Sequence, residues 1–210
     1  MQALQDGNNK IDFTDKLNID KYLRVDIKQP VKDSFEFSQP FLIKCVLALL
    51  GLEQGTMNKK LTPVGKPLLN KDLNGEPRKY EWNYRGAIGM LTYLTGSVRP
   101  EIAMAVNQCT WFSTSPMRSH ELAVMRIERY LLSSQDKGLV YTVDAARGLE
   151  TYVDADFAGG WDPENADDAS TLYSRTGFVI KYAGCPVYSQ SKLQTEIALF
   201  TAEAEYIAMS

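Results

Sequence analysis

Cysteine is scarce and scattered. Cys45, Cys109 and Cys185 are the three in 210 residues, an odd set with no metal-ligand spacing, which excludes a disulfide framework and argues for buried thiols in a reducing compartment. Long apolar runs are missing too. The longest, Phe41 to Leu52, is broken by Lys44 and falls short of the roughly 18 to 20 residues of a membrane span, so no membrane partner is expected. The first residues, Met1 to Asp6, lack a basic start followed by an apolar core, so no secretory signal is read, and an intracellular setting (a cytoplasmic particle or the nucleus) is expected. Histidine occurs once, as His120 beside Ser119, without the activated-serine motif that a Ser-His hydrolase needs. Internal repeats and low-complexity tracts are absent.

What remains is ordinary for a globular protein: 44% hydrophobic and 23% charged residues, in a chain long enough for one large domain or two small ones. The net charge of −3 hides an asymmetry. Residues 1–150 carry 20 Lys and Arg against 17 Asp and Glu, whereas residues 151–210 carry 3 against 9. An acidic end behind a mildly basic body suits a metal site fed by a surface that tolerates polyanions, and ordinary solvated charge explains it equally well.

Alternation from Tyr22 to Lys28, turn chemistry from Pro30 to Ser34 and renewed alternation at Phe35-Glu36-Phe37 predict a hairpin within Ile19 to Gln39. Ser38 is the expected N-cap of a helix with Pro40 in its first turn, running to Leu50 and stopped by Gly51. Gly55 to Glu76, rich in proline and glycine, reads as an extended connector. Three helices follow. Tyr84, Ile88, Leu91 and Thr95 share a face of the first, which Gly96 should end. Pro100 opens the second, with Ile102, Val106 and Cys109 on one side, and Ser119 is the expected cap of the third, where Ala123, Ile127, Tyr130, Leu131 and Ser134 recur. Strands are expected over 139–143, 149–157, 177–182 and 186–190, and a last helix from Thr201.

Two acidic segments carry the chemistry. On a strand, Tyr152, Asp154 and Asp156 face one way and Val153, Ala155 and Phe157 the other, so the apolar set packs inward and the acids face a cleft or solvent. On the helix, Glu203 and Glu205 lie about 200° apart and cannot address one ion. With Thr201 as N-cap, Glu203 falls in the first turn, where it suits the helix dipole, and Glu205 is the better ligand. A strand carboxylate beside a helical one is how proteins hold divalent metal for phosphodiester cleavage. Four solvated surface acids are the open alternative.

The run Tyr152-Val153-Asp154-Ala155-Asp156-Phe157-Ala158-Gly159 resembles the opening of the RNase H domain in copia-type retrotransposon Pol polyproteins. Ser174-Arg175-Thr176-Gly177-Phe178, Ser191-Lys192-Leu193-Gln194 and Thr201 to Ala208 continue the likeness in order and spacing. Upstream, Tyr84 to Leu94, Arg99-Pro100-Glu101-Ile102, His120 to Leu131 and Gly138-Leu139-Val140-Tyr141 resemble the segment joining polymerase to RNase H. Tyr22 to Gly51 is similar to the end of a reverse transcriptase. The resemblance implies three parts: residues 1–80 from the polymerase end and connector, 81–147 a helical connection, 148–210 the start of an RNase H-like domain. It implies an α/β fold, a truncated RNase H-like mixed sheet preceded by the helical connection and by a β-hairpin plus helix. It makes Asp154 and Glu205 catalytic Mg²⁺ ligands, with two ions about 3.5 to 4 Å apart cutting the RNA of an RNA–DNA hybrid. Such a hybrid is selected by groove shape and 2′-hydroxyl contacts. The other expected partner is the rest of the Pol polyprotein.

Two departures accompany it. The family's third and fourth acidic positions lie beyond the equivalent of Ser210, and the polymerase aspartate pair should precede residue 1. Tyr152-Val153-Asp154-Ala155 only mimics a Tyr-x-Asp-Asp hairpin, since Ala155 replaces the second aspartate. The expected activity of the chain alone is therefore weak or nil. A decayed or domesticated remnant with a structural or nucleic-acid-binding role is the alternative. Among other residues, Arg118, Arg126 and Arg129 interleave with Glu121 and Glu128 and read as a solvated helix face. Trp82, Trp111 and Trp161 read as packing residues, and Asp162, Glu164, Asp167 and Asp168 as an exposed polar loop.

Overall fold

The computed structural model describes residues 20–51, 59–65, 68–161, 163 and 166–210. The expectations placed on Met1 to Asp6, Ile19, Leu52, Gly55, Pro67, Asp162 and Glu164 lie outside these. The architecture is mixed α/β, with a four-stranded and a three-stranded antiparallel sheet around a helical core.

The first sheet runs in the order β1 (Lys21–Tyr22), β2 (Val25–Val31), β3 (Ser34–Ser38), β4 (Leu139–Thr142). Pro30 sits inside β2 rather than in the turn, at an irregularity between Lys28 and Val31, where its missing N–H costs no ladder bond. The turn is instead Lys32-Asp33, with Asp33 at φ 60°, a left-handed position aspartate tolerates. The pairing of β3 with β4 joins residues a hundred positions apart, from Ser34↔Thr142 to Phe37↔Leu139, and the Phe37 and Tyr141 rings meet at 4.8 Å. Segments expected to belong to a polymerase end and to a connection thus share one sheet.

Helix α1 (Pro40–Leu49) follows directly, with Gln39 rather than Ser38 at its N-cap and Gly51 beyond its end at φ +70°. Ser38 is the last residue of β3 and is buried there. Helix α2 (Tyr84–Ser97) is capped by Asn83, whose side chain accepts the Gly86 N–H at 2.9 Å. It runs through Gly96, because Leu94 packs in the core and its carbonyl closes onto Val98 and Arg99. A 3₁₀ turn at Pro100–Ile102 leads into α3 (Ala103–Thr110). Helix α4 (Arg118–Leu132) starts one residue before the expected cap, with Met117 in the cap position. Ser119 lies in its first turn, where its hydroxyl donates to Asp72 at 2.6 Å instead of capping.

Spacing of three and four residues puts Ile43, Val46 and Leu47 of α1, Ala87, Ile88, Leu91 and Leu94 of α2, Val106 and Cys109 of α3, and Val124, Ile127 and Leu131 of α4 into one core. The connector lies along this body, pinned by Arg126, which donates to the Val64 carbonyl at 2.9 Å and the Thr62 hydroxyl at 2.8 Å.

The second sheet is a meander, β5 (Leu149–Asp156), β6 (Arg175–Tyr182), β7 (Cys185–Leu193), followed by α5 (Thr201–Met209). Both β6 and β7 extend beyond the stretches alternation predicted. The three cysteines are free; Cys109 and Cys185 are buried and Cys45 is half-buried. No helix among the described residues is long and apolar enough to cross a membrane.

Candidate functional site

In an antiparallel ladder, paired residues point their side chains to the same face. Register pairs Asp154 with Gly177 and Gly177 with Ser191, Tyr152 with Val179 and Val179 with Ser189, Asp156 with Arg175. This face looks toward α3, since Arg175 Nη1 donates to Asn107 Oδ1 at 2.5 Å. Between this face and the Pro100–Met104 turn lies an open cleft of about 510 Å³, and Asp154, Tyr152, Ser189, Ser191 and Glu101 line it. Gly177, directly beside Asp154, has nothing within 4 Å of where a Cβ would stand. The alternation expected for β5 is present: the acid-bearing face borders a cleft, and Asp154 is solvent-exposed there.

The opposite face carries Val153, Ala155, Thr176 and Phe178. Helix α5 packs on that side against β5 and β6. Gln194 ties it down, donating through Nε2 to Thr176 Oγ1 at 3.1 Å and to the Ala204 carbonyl at 2.8 Å. Helix α5 begins at Thr201 as expected, but Phe200 occupies the N-cap and no side chain caps it. Glu203 lies in the first turn and accepts the Leu199 N–H at 2.6 Å. Glu205 is half-buried on the next part of the helix.

The two site residues read from sequence stand on different elements, Asp154 on β5 and Glu205 on α5. Asp154 faces the cleft under α3, whereas Glu205 belongs to a helix seated on the other face. No group of three His, Cys, Asp or Glu among the described residues is arranged to hold a metal ion.

Asp156 is a structural acid. Its Oδ1 accepts the Arg175 N–H at 2.5 Å, and burial beneath α3 pushes the Arg175 guanidinium below its ordinary pKa, partly offset by Asp156. Asp168, expected in an exposed loop, is half-buried. It caps a 3₁₀ turn at Ala169–Leu172 through Ser170 N–H (3.0 Å) and pairs with Lys71 at 3.2 Å, bonds that hold its carboxyl below the usual range.

His120 is buried and stacks on Phe112 at 4.0 Å. Its Nδ1 accepts the Met117 N–H and its Nε2 meets the Asn70 carbonyl, each at 2.9 Å, so the ring carries its hydrogen on Nε2 and splints the start of α4. Ser119 bonds elsewhere, and no hydrolytic pair forms. Trp82 stacks against Tyr84 at 5.6 Å, with Arg78 over its ring. Trp111 and Trp161 are about half exposed. The solvated face expected on α4 is corrected at Glu121 and Glu128, both fully buried. The helix turns these two inward beside Val124 and Leu131, a face that strict apolar spacing does not reveal. Arg175 and Gln108, both more than nine-tenths buried, were given no role from sequence. Gln108 carries no local signal, and Arg175 sits inside a quoted motif without any pattern that marks it as buried.

The chain is 36% identical over 127 residues to secreted RxLR effector protein 161 of Plasmopara viticola, covering 60% of the chain and 84% of that protein. It is 38% identical over 125 residues to the retrovirus-related Pol polyprotein from transposon TNT 1-94 of Nicotiana tabacum, again 60% of the chain but 9% of the polyprotein. A transposon Ty5-1 protein of Saccharomyces cerevisiae matches at 28% over 196 residues, 91% of the chain and 59% of that protein. The chain thus spans under a tenth of the tobacco polyprotein. No protein-family model matches, and no solved structure does.

Proposed function

From a chain that belongs to the family of secreted RxLR effector protein 161 and is homologous to retrotransposon Pol polyproteins, we propose the following reading. The chain is the stretch of a copia-type Pol polyprotein in which reverse transcriptase gives way to RNase H. The parent enzyme copies retroelement RNA into DNA and removes the template strand from the hybrid with Mg²⁺. Asp154 and Glu205 are this chain's contribution to the metal-binding set.

One observation carries the reading: an antiparallel three-strand meander with an exposed carboxylate in the middle of its first strand, Asp154, followed by a helix bearing Glu205. A carboxylate in that position is accessible to a hydrated Mg²⁺ and to a phosphodiester in the cleft. When bound in the parent enzyme, the metal would activate water and stabilise the leaving oxygen. In the isolated chain, Asp154 and Glu205 are two acidic positions where a firmly held metal pair calls for more. Such a site binds Mg²⁺ weakly, and the chain alone cleaves hybrid weakly or not at all.

The test is hybrid cleavage by the purified 210-residue chain with Mg²⁺, beside a fusion that appends the further acidic positions of a full-length copia-type polyprotein. The fusion should cut the RNA strand, and Asp154→Asn within it should abolish cutting. A fusion that folds yet stays inert sinks the nuclease reading. Robust cleavage by the unfused chain, lost in Asp154→Asn, would show that Asp154 and Glu205 need no further acidic partner.

A further inference from the structure

Between the connector and α4 runs a groove of about 760 Å³, and none of the residues lining it lines the cleft beside Asp154. Its charge is one-sided. Lys60, Lys71, Arg126 and Arg129 line it against a single acid, Asp72. Lys71 is engaged by Asp168 at 3.2 Å, and the Asp72 carboxylate accepts the Ser119 hydroxyl. That leaves Lys60, Arg126 and Arg129, none of which pairs with a carboxylate among the described residues.

The backbone sets these three side by side. Arg126 and Arg129 are three apart on α4 and share a face. Lys60 is strapped to the same stretch of helix: its N–H donates to the Arg129 carbonyl at 3.5 Å, and its carbonyl accepts the Ser133 hydroxyl at 3.1 Å. Arg126 donates to the Val64 carbonyl and the Thr62 hydroxyl, neutral acceptors that leave its charge uncancelled. The Nε of Arg129 is shielded from water and has no partner among the described residues, a donor costly to leave unused. Its neighbour Glu128, raised by burial to about 8, is mostly protonated at neutral pH and cancels little of that charge. Arg118, by contrast, is neutralised by Glu121 and lies outside the groove. All three remaining cations are half-buried, so salt screens them less than fully exposed charges.

A concave surface of this kind suits an occupant that repeats negative charge and oxygen acceptors along its length. A sugar-phosphate backbone does so, and each phosphate it sets against a cation releases condensed counterions. We propose that the groove between the connector and α4 seats the backbone of an RNA–DNA hybrid, with Lys60, Arg126 and Arg129 contacting its phosphates. The choice of a hybrid rests on the reading of the chain as part of a hybrid-cutting enzyme, and binding measured without divalent metal tests the groove separately from cutting.

The experiment titrates a short fluorescent RNA–DNA hybrid with the full chain in EDTA at neutral pH, read by anisotropy. Affinity should fall at least roughly 40-fold between about 50 and 200 mM salt, as three phosphate contacts require. Lys60→Gln combined with Arg129→Gln should weaken binding at the lower salt and shrink that loss roughly tenfold. Lys28→Gln combined with Lys32→Gln removes the same charge from exposed positions outside the groove, and should leave the loss unchanged. If the Arg129 variant melts early, Lys60→Gln alone carries the test, with the loss reduced roughly threefold. Absence of salt-dependent binding, an equal effect of the two double variants, or retention on phosphatidylserine vesicles in place of the hybrid each overturns the proposal. Groove-dependent binding beside an inert fusion would uphold the groove and sink only the nuclease reading.

Discussion

Glu121 and Glu128 stand seven residues apart on α4, both without exposed surface, and their surroundings treat them oppositely. Glu121 accepts the Lys79 and Tyr80 N–H groups at 3.0 Å each and pairs with Arg118 and Arg78. Burial alone would raise its pKa, but those donors outweigh it and hold the carboxyl below the ordinary value. Its contribution is present above the unfolded carboxylate pKa and is lost as pH falls through the lower folded value. Glu121→Ala leaves two backbone donors and an arginine unpaired beneath the connector, and should cost about 3 kcal/mol in urea unfolding. Neither oxygen of Glu128 has a hydrogen-bond partner among the described residues, and burial, partly offset by Arg129, raises its carboxyl to about 8. The native state therefore keeps a proton that the unfolded chain releases. Stability is complete below the usual carboxylate range and drains away as pH climbs toward 8, by up to about 1.4 kcal/mol per pH unit. Glu128→Leu should raise the melting temperature at pH 8 and flatten its fall between pH 5 and 8. A parent protein whose melting point is constant over that range would contradict the burial of an unpaired acid. Nothing in the sequence separates these two glutamates, because the donors that satisfy Glu121 lie some forty residues away on an irregular segment.

At the scale of elements, α2, α5 and the β5–β7 meander were legible because their periodicity is local. Tyr84, read as part of the apolar face, is the first residue of α2, and Asn83 before it supplies the cap. Asn83→Ala should lower stability by about 1 kcal/mol in the same urea assay, with the loss confined to the first turn of α2 by amide exchange. The pairing of β3 with β4 was not legible. It depends on a close approach between distant segments, and Gly138 is the residue that permits it. A Cβ there would stand 2.1 Å from the Phe37 carbonyl oxygen, a backbone atom that cannot swing aside. Gly138→Ala should therefore pry β4 from β3, exposing the Leu139–Thr142 amides to exchange and costing about 1 to 3 kcal/mol. Unchanged protection of those amides would mean the edge is held elsewhere. The expected caps at Ser38 and Ser119 failed for a related reason. Each hydroxyl-bearing residue is captured by a neighbour, Ser38 by the sheet and Ser119 by Asp72, before it can serve its helix.

For the whole molecule, the second sheet meets the helical body through the packing of α3 on β7 and through polar ties. The Pro100–Met104 turn stands off the sheet across the cleft of about 510 Å³, and Arg175–Asn107 and Lys71–Asp168 are polar ties across the junction. The Lys71–Asp168 pair is partly exposed and salt-screened, and contributes at most about 1 kcal/mol. The Arg175–Asn107 bond is shielded beneath α3 and is the stronger hold. By contrast, the helical core packs four helices with most of its apolar side chains fully buried. The two parts should consequently open at different free energies, in the manner of separate cooperative units. Amides of β5 to β7 should exchange faster than those of α2 and α4, and Asn107→Ala should speed the first group severalfold while leaving the second unchanged. A uniform change across both groups would show instead that sheet and helices unfold as one unit. The sheet is held on the α3 side by Arg175 and on the α5 side by Gln194, so each face follows its own helix.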